Sequence, residues 1–178
     1  MNDQNRELTA YHEAGHAVLW WHFGIRLKEV TIKPTDDSLG SCIVHGDPME
    51  IFHTDERPFP DEATTARQTL IKIKIMSLLA GGLAEKIRFP ATDLNNSICW
   101  QDHETAKNLI IRFVPDHETE DLVRQTQELL TAYWFNVSAL AQLLLKHITV
   151  TGEDAEMILD DPRPLLQIQH STKSVPPS

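Results

Sequence analysis

Cysteine is nearly absent from this chain. Cys42 and Cys99 alone occur among 178 residues, too few and too far apart for a disulfide framework or a cysteine-type zinc site. Long apolar runs are also missing: nothing approaches the roughly 18 consecutive apolar residues that span a bilayer. The opening Met1-Asn2-Asp3-Gln4-Asn5 is polar where a secretory signal would be apolar. Positive charge is in deficit, with 16 Lys and Arg against 26 Asp and Glu and a net charge of -10, a sign that disfavours nucleic acid and anionic membrane as partners. These absences lead us to expect a reducing, cytoplasmic setting with no transmembrane segment. The length and a hydrophobic content of 41% suit one domain with a real core. We place that domain at residues 1–160. Beyond it, Pro162, Pro164, Pro176 and Pro177 among Ser and Thr predict a flexible tail over 161–178.

Histidine, by contrast, is plentiful, with nine residues. Two of them lie in Thr9-Ala10-Tyr11-His12-Glu13-Ala14-Gly15-His16-Ala17, which contains His-Glu-x-x-His in a helical context. Residues four apart on a helix lie nearly above one another. His12 and His16 would therefore project from one face and could bind a single metal ion, with Glu13 beside them as general base toward a water. The competing explanation is a helix face whose histidines only pack or meet solvent. His22, six residues after His16, is where some zinc peptidases place a third histidine. Those proteins leave the helix at a glycine, and Leu19 occupies that position here. A continuing helix turns His22 about 240° away from His16, so His22 is rejected as a ligand.

The spacing predicts a first helix from Asp3 or Asn5 to about Phe23, stopped by Gly24. Gly15 in its middle signals a close helix crossing or the near approach of another group. Lys28–Lys33 and Leu39–Val44 alternate as two short strands around a turn at 36–38. Residues 45–61 read as an irregular loop holding His45 and His53. A long helix runs from Thr64 or Thr65 to about Arg88, and its Ala80-Gly81-Gly82-Leu83-Ala84 stretch is rich in small residues, as close packing needs. Glu85 on that helix is either a surface charge or an acceptor for the outward N–H of a ligand histidine. A polar loop with Asn95-Asn96 precedes a helix from Trp100 to about Val114. Asp102, near the start of that helix, is well placed as a third, oxygen ligand. Residues 119–147 are helical by pattern, with Asn136 marking a bend or break. Thr151-Gly152-Glu153-Asp154 starts a last short helix with a capping-box pattern.

Four segments, taken in order, give the chain a resemblance to the peptidase domain of the FtsH-type ATP-dependent zinc metalloproteases. Thr9–Ala17 is similar to that family's zinc-binding helix. Val30-Thr31-Ile32-Lys33-Pro34 with Leu39-Gly40 is similar to its strand and turn, Leu79–Glu85 to its Leu-Ala-Gly-Arg-Ala-Ala-Glu helix, and Ile148–Glu153 to its Thr-Leu-x-Gly-Glu close. The resemblance spans residues 5–160. It implies a mainly α domain with a small β-hairpin beside the His-Glu-x-x-His helix. It also implies one zinc ion held by two histidines and an aspartate, for which Asp102 is the matching position. Asp93–Asp102 departs from the family's Thr-Thr-Gly-Ala-Ser-Asn-Asp loop, so His103 and Glu104 stand as fallback ligands. Gly82 replaces the family's arginine. No Gly-x-x-x-x-Gly-Lys-Ser/Thr segment occurs, so the resemblance implies a peptidase domain without its own motor.

The expected activity is that of a zinc metalloendopeptidase acting on unfolded or flexible polypeptides. His12, His16 and Asp102 are the expected ligands, Glu13 the catalytic base and Glu85 a supporting acceptor. No other cofactor is expected. A homo-oligomer or a separate ATPase partner stays open. The alternative is a metal-binding but inactive adaptor of a larger protease or ATPase assembly.

Overall fold

A computed structural model describes residues 3–46, 61–91 and 100–161. The expected loop at 45–61 (with His53), the Asn95-Asn96 loop with Cys99, and the tail beyond Asp161 fall wholly or mainly outside the described residues. Among those residues the order is α1 (Asp3–His22), β1 (Leu27–Thr31), β2 (Ser41–Val44), α2 (Asp61–Arg88), α3 (Trp100–Phe113), α4 (Asp116–Ala132), α5 (Trp134–His147), β3 (Thr149–Thr151) and α6 (Gly152–Asp160). The protein is mainly α with a small antiparallel sheet, as the sequence leads one to expect.

α1 is the centre of the fold. Every residue from Thr9 to Trp20 is buried, because α2, α5 and the sheet all pack on it. Its sequence explains this: Ala10, Ala14, Ala17, Val18 and Leu19 distribute small and apolar side chains around the helix, a pattern suited to burial on every side. Gly24 ends the helix with a positive φ of 74°, and Ile25 N–H donates back to the Trp20 carbonyl at 2.9 Å, a Schellman-type stop.

α1 and α2 approach each other closely. A Cβ built on Gly15 would stand 2.7 Å from the Ala80 carbonyl oxygen and 2.8 Å from Ala84 Cβ. Gly15 and the Ala-Gly-Gly stretch are therefore two halves of one crossing. A separate cluster of Ile71, Ile75, Met76, Val114 and Leu122 ties α2 to α4 and to the end of α3. Half-buried Leu109, Ile110 and Phe113 pack against it, which anchors α3 and with it Asp102.

The sheet has the order β2-β1-β3. In β1, Val30 pairs with Cys42 on one side and with Val150 on the other, both antiparallel. The expected hairpin is thus present, and β3 adds a third strand that three residues of sequence do not announce. α2 begins at Asp61, a turn before the expected Thr64 or Thr65. The predicted break at Asn136 is corrected to Tyr133. Asn136 lies inside α5, where its amide donates to the Leu159 carbonyl at 2.6 Å and holds the end of α6. Thr151 caps α6 as expected, accepting from Asp154 N–H at 3.1 Å.

The crossing makes a prediction about sign. Alanine in place of a mid-helix glycine ordinarily stabilises by about 1 kcal/mol. Gly15→Ala should instead lower stability by about 1–3 kcal/mol, because the added methyl meets backbone across the crossing. A urea midpoint at or above that of the wild type would show that α1 and α2 can separate without cost.

Candidate metal centre

Three side chains from two distant parts of the chain meet at the crossing. His12 and His16 come from successive turns of α1, and Asp102 from the first turn of α3. The two Nε2 atoms are 2.8 Å apart. Asp102 Oδ2 is 3.2 Å from each. Among the described residues these form the one group of three or more such side chains able to hold a metal ion.

The protons on the outward nitrogens decide what this cluster is. His16 Nδ1 lies 2.6 Å from the Ser77 carbonyl oxygen, which can only accept, so that nitrogen must carry hydrogen. His12 Nδ1 lies 2.6 Å from Glu85 Oε1, and burial leaves Glu85 0% exposed. Again the nitrogen donates. Both neutral rings then turn bare Nε2 lone pairs toward each other and toward a carboxylate oxygen. Such an arrangement is repulsive unless a cation sits within it. Donors on a tetrahedral ion with bonds of about 2.0–2.1 Å stand roughly 3.3 Å apart. The two Asp102 separations of 3.2 Å are close to that, the 2.8 Å between the imidazoles is shorter, and two imidazoles with one carboxylate suit zinc.

Charge in the site obeys the same logic. Burial works to lower the His12 pKa, but hydrogen bonds to Asp102 and Glu85 outweigh it and raise it to about 10. Burial works to raise that of Asp102, yet its bonds to His12 and His16 hold it well below the usual carboxylate range. In the absence of metal, one proton is thus retained among the three groups. Glu13 is 4% exposed. Burial pushes its carboxyl up, against the pull of His12 and His16. Four buried ionisable groups, His12, Glu13, His16 and Glu85, are costly for folding alone and are characteristic of functional sites.

Two glycines shape the centre. A Cβ on Gly81 would stand 2.5 Å from His16 Nε2 and 2.6 Å from His12 Cε1. A Cβ on Gly40, just before β2, would stand 2.7 Å from Glu13 Oε1. The sequence suggests helix packing for Gly81 and the start of the return strand for Gly40; each also makes room for a side chain of the centre. The sequence alone assigns neither Gly81 nor the Ser77 carbonyl to the site. A glycine on the helix facing a His-Glu-x-x-His motif is the available signal, whereas a carbonyl acceptor leaves none. The centre opens into a cavity of about 520 Å³ bounded by α1, α2, β2, the 35–40 turn and the start of α3.

The structure brings His12, His16 and Asp102 together, with Glu85 on His12 and Glu13 in the wall of the same cavity. His22 does not join them: its Nδ1 lies 3.2 Å from the Tyr133 hydroxyl. His103 and Glu104 are exposed on α3 and take no part in the cluster. His45 is exposed after β2. No protein-family model matches the chain.

Two measurements probe this chemistry. Glu85→Ala should weaken zinc binding about 10- to 100-fold, read by competition with a chromogenic chelator, since it frees the outward nitrogen of His12; unchanged affinity would reduce Glu85 to a packing residue. Because His12 holds a proton up to about pH 10, an incoming ion must displace it. Zinc binding near pH 7.5 should release about one proton per ion, seen as a buffer-dependent heat in calorimetry, and affinity should fall as pH is lowered. A heat independent of buffer would contradict this protonation scheme.

Proposed function

We propose that this protein is a zinc-dependent endopeptidase of the FtsH-type peptidase-domain kind, acting on unfolded or flexible polypeptide. The observation that carries the reading is the convergence of two bare imidazole nitrogens and a carboxylate next to a buried carboxyl that none of them needs. A structural metal has no use for Glu13. A hydrolase requires a base at that point, and burial raises the Glu13 carboxyl above its ordinary value, which makes it the stronger base.

His12, His16 and Asp102 would hold the ion, with Glu85 and the Ser77 carbonyl fixing the rings. Zinc held by these residues would supply Lewis-acid polarisation of the scissile carbonyl and would ease loss of a proton from water near neutral pH. Glu13 takes the proton from the attacking water and delivers it to the leaving amine. Gly40, lacking a Cβ, leaves Glu13 Oε1 the space to do so.

The cleft suits an extended chain. β2 is the edge strand of the sheet beside the cavity, and Ser41 and Cys42 line it. Among the described residues no strand pairs with its outer edge, so substrate backbone can add there by strand pairing. No described helix is long and apolar enough to cross a membrane.

Glu13→Gln decides the matter. It should retain one zinc per chain and lose casein cleavage by about 10²- to 10⁴-fold relative to wild type with zinc. Equal cleavage by both proteins would remove Glu13 as base. Stoichiometric zinc with no cleavage by either would instead describe a metal-stabilised interaction domain.

A further inference from the structure

The chain has four tryptophans, and three of them pack against neighbours. Trp20 is 5% exposed, Trp21 meets Tyr133 edge-on at 5.5 Å between centroids, and Trp134 stacks on Tyr11 at 5.6 Å. Trp100 is the exception. It is 62% exposed, and among the described residues its ring has no aromatic, cationic or hydrogen-bonding partner. It nevertheless lines the cavity of the metal centre. A lining residue so exposed stands where the cavity meets solvent. The chain itself ties it to the donors. Trp100 opens α3, two residues before Asp102, whose Oδ2 is 3.2 Å from both Nε2 atoms. Helical geometry holds Cα atoms two residues apart at about 5.5 Å and turns their side chains about 200° from one another. The indole therefore flanks the three donors without standing over them. Packing does not explain its place, because α3 is held on α2 and α4 through Leu109, Ile110 and Phe113.

We propose that Trp100 is a specificity-determining residue whose indole takes an aromatic side chain of the substrate polypeptide, near the bond hydrolysed but not at it. Offset or edge-on pairing of rings selects shape as well as apolar character, and tryptophan offers a large face for the loss of only two torsions. Large aromatic side chains are mostly buried in folded proteins and accessible in unfolded ones, so the ring would favour unfolded chains. The occupant is a substrate side chain because the indole is continuous with the cavity that holds the metal donors. The inference rests on the peptidase reading for the hydrolysis of a bound chain; binding itself needs only the cavity.

The test separates the two. Fluorescent peptides of one sequence, with Phe, Leu or Gln placed in turn at each central position, are titrated by anisotropy into zinc-loaded Glu13→Gln protein. The same titrations are run with Trp100→Ala or Trp100→Leu added. The best Phe peptide should bind about tenfold more tightly than its Gln counterpart and about threefold more tightly than its Leu counterpart. Trp100→Ala should remove both differences. Trp100→Leu, which keeps apolar bulk without a ring, should remove the preference for Phe over Leu. Chelator competition checks zinc affinity in both variants, and Trp100→Leu alone decides if the alanine variant loses the metal. Preferences that survive the substitutions, equal binding of all peptides, or no binding of any peptide overturn the subsite. Wild-type dimers in sedimentation that are lost in Trp100→Ala would give the ring to a second copy of the chain and overturn it too. The same peptides are then offered to the protein with Glu13 intact. A Trp100-dependent preference in binding without zinc-dependent cleavage keeps the subsite and removes the peptidase. Cleavage whose preference ignores Trp100 does the reverse.

Discussion

Everything at the centre depends on how closely α1 approaches α2. Two helices separated by ordinary side chains stand roughly 8–10 Å apart between axes. Where glycine and alanine face one another, backbone meets backbone, and Gly15 against Ala80 is such a contact. That proximity brings the Ser77 carbonyl within hydrogen-bond distance of His16 and Glu85 within reach of His12. It also forces position 81 to be glycine, because the imidazole rings occupy the volume a side chain would fill. The small residues of α2 thus serve packing and chemistry with the same atoms.

The outward contacts of the two histidines then determine the inward ones. A neutral imidazole has one donor and one acceptor nitrogen. Committing both Nδ1 atoms to obligate acceptors leaves both Nε2 atoms as acceptors, and Asp102 adds a third. Burial strengthens this: with little water present, neither the lone pairs nor the carboxylate can be satisfied by solvent. The elements that hold the rings in this tautomer come from α2, whereas the element that supplies the third acceptor is α3, fixed through its own apolar cluster with α2 and α4. The centre is therefore rigid on the histidine side and reports the position of α3 on the aspartate side.

Much of this is legible in the residues. The helix carrying His12, Glu13 and His16 has every signal in its favour: periodicity, a glycine stop and a motif whose spacing matches one helical turn. Asp102 can be named as a well-placed oxygen donor and by resemblance, but no periodic pattern joins it to His12, 90 residues away, since that contact is made by the packing of α3. The strand β3 escapes notice because three residues carry too little alternation, and its pairing with β1 depends on the turn at Ile148, whose φ of 69° is unusual for a β-branched residue. Asn136 misleads for the opposite reason: a polar residue in a helix suggests an interruption, yet here its amide satisfies the last turn of another helix. Glu85 can be read two ways until its complete burial against His12 decides between them.

Burial of so many ionisable groups in the central helix also bears on folding. Glu85 keeps one carboxylate oxygen, Oε2, without a hydrogen-bond partner among the described residues, and Glu13 and His12 are shut off from water within the same few turns. Deprived of a cation, the fold must hold a proton in the cluster and bear the desolvation of the remaining charge. An ion placed among the three donors removes the repulsion between lone pairs and offsets the buried negative charge, and any ligand that binds only the folded state adds its binding free energy to stability. Under the proposed reading, an ion bound there would be coupled to the integrity of α1, the helix on which the rest of the core is assembled.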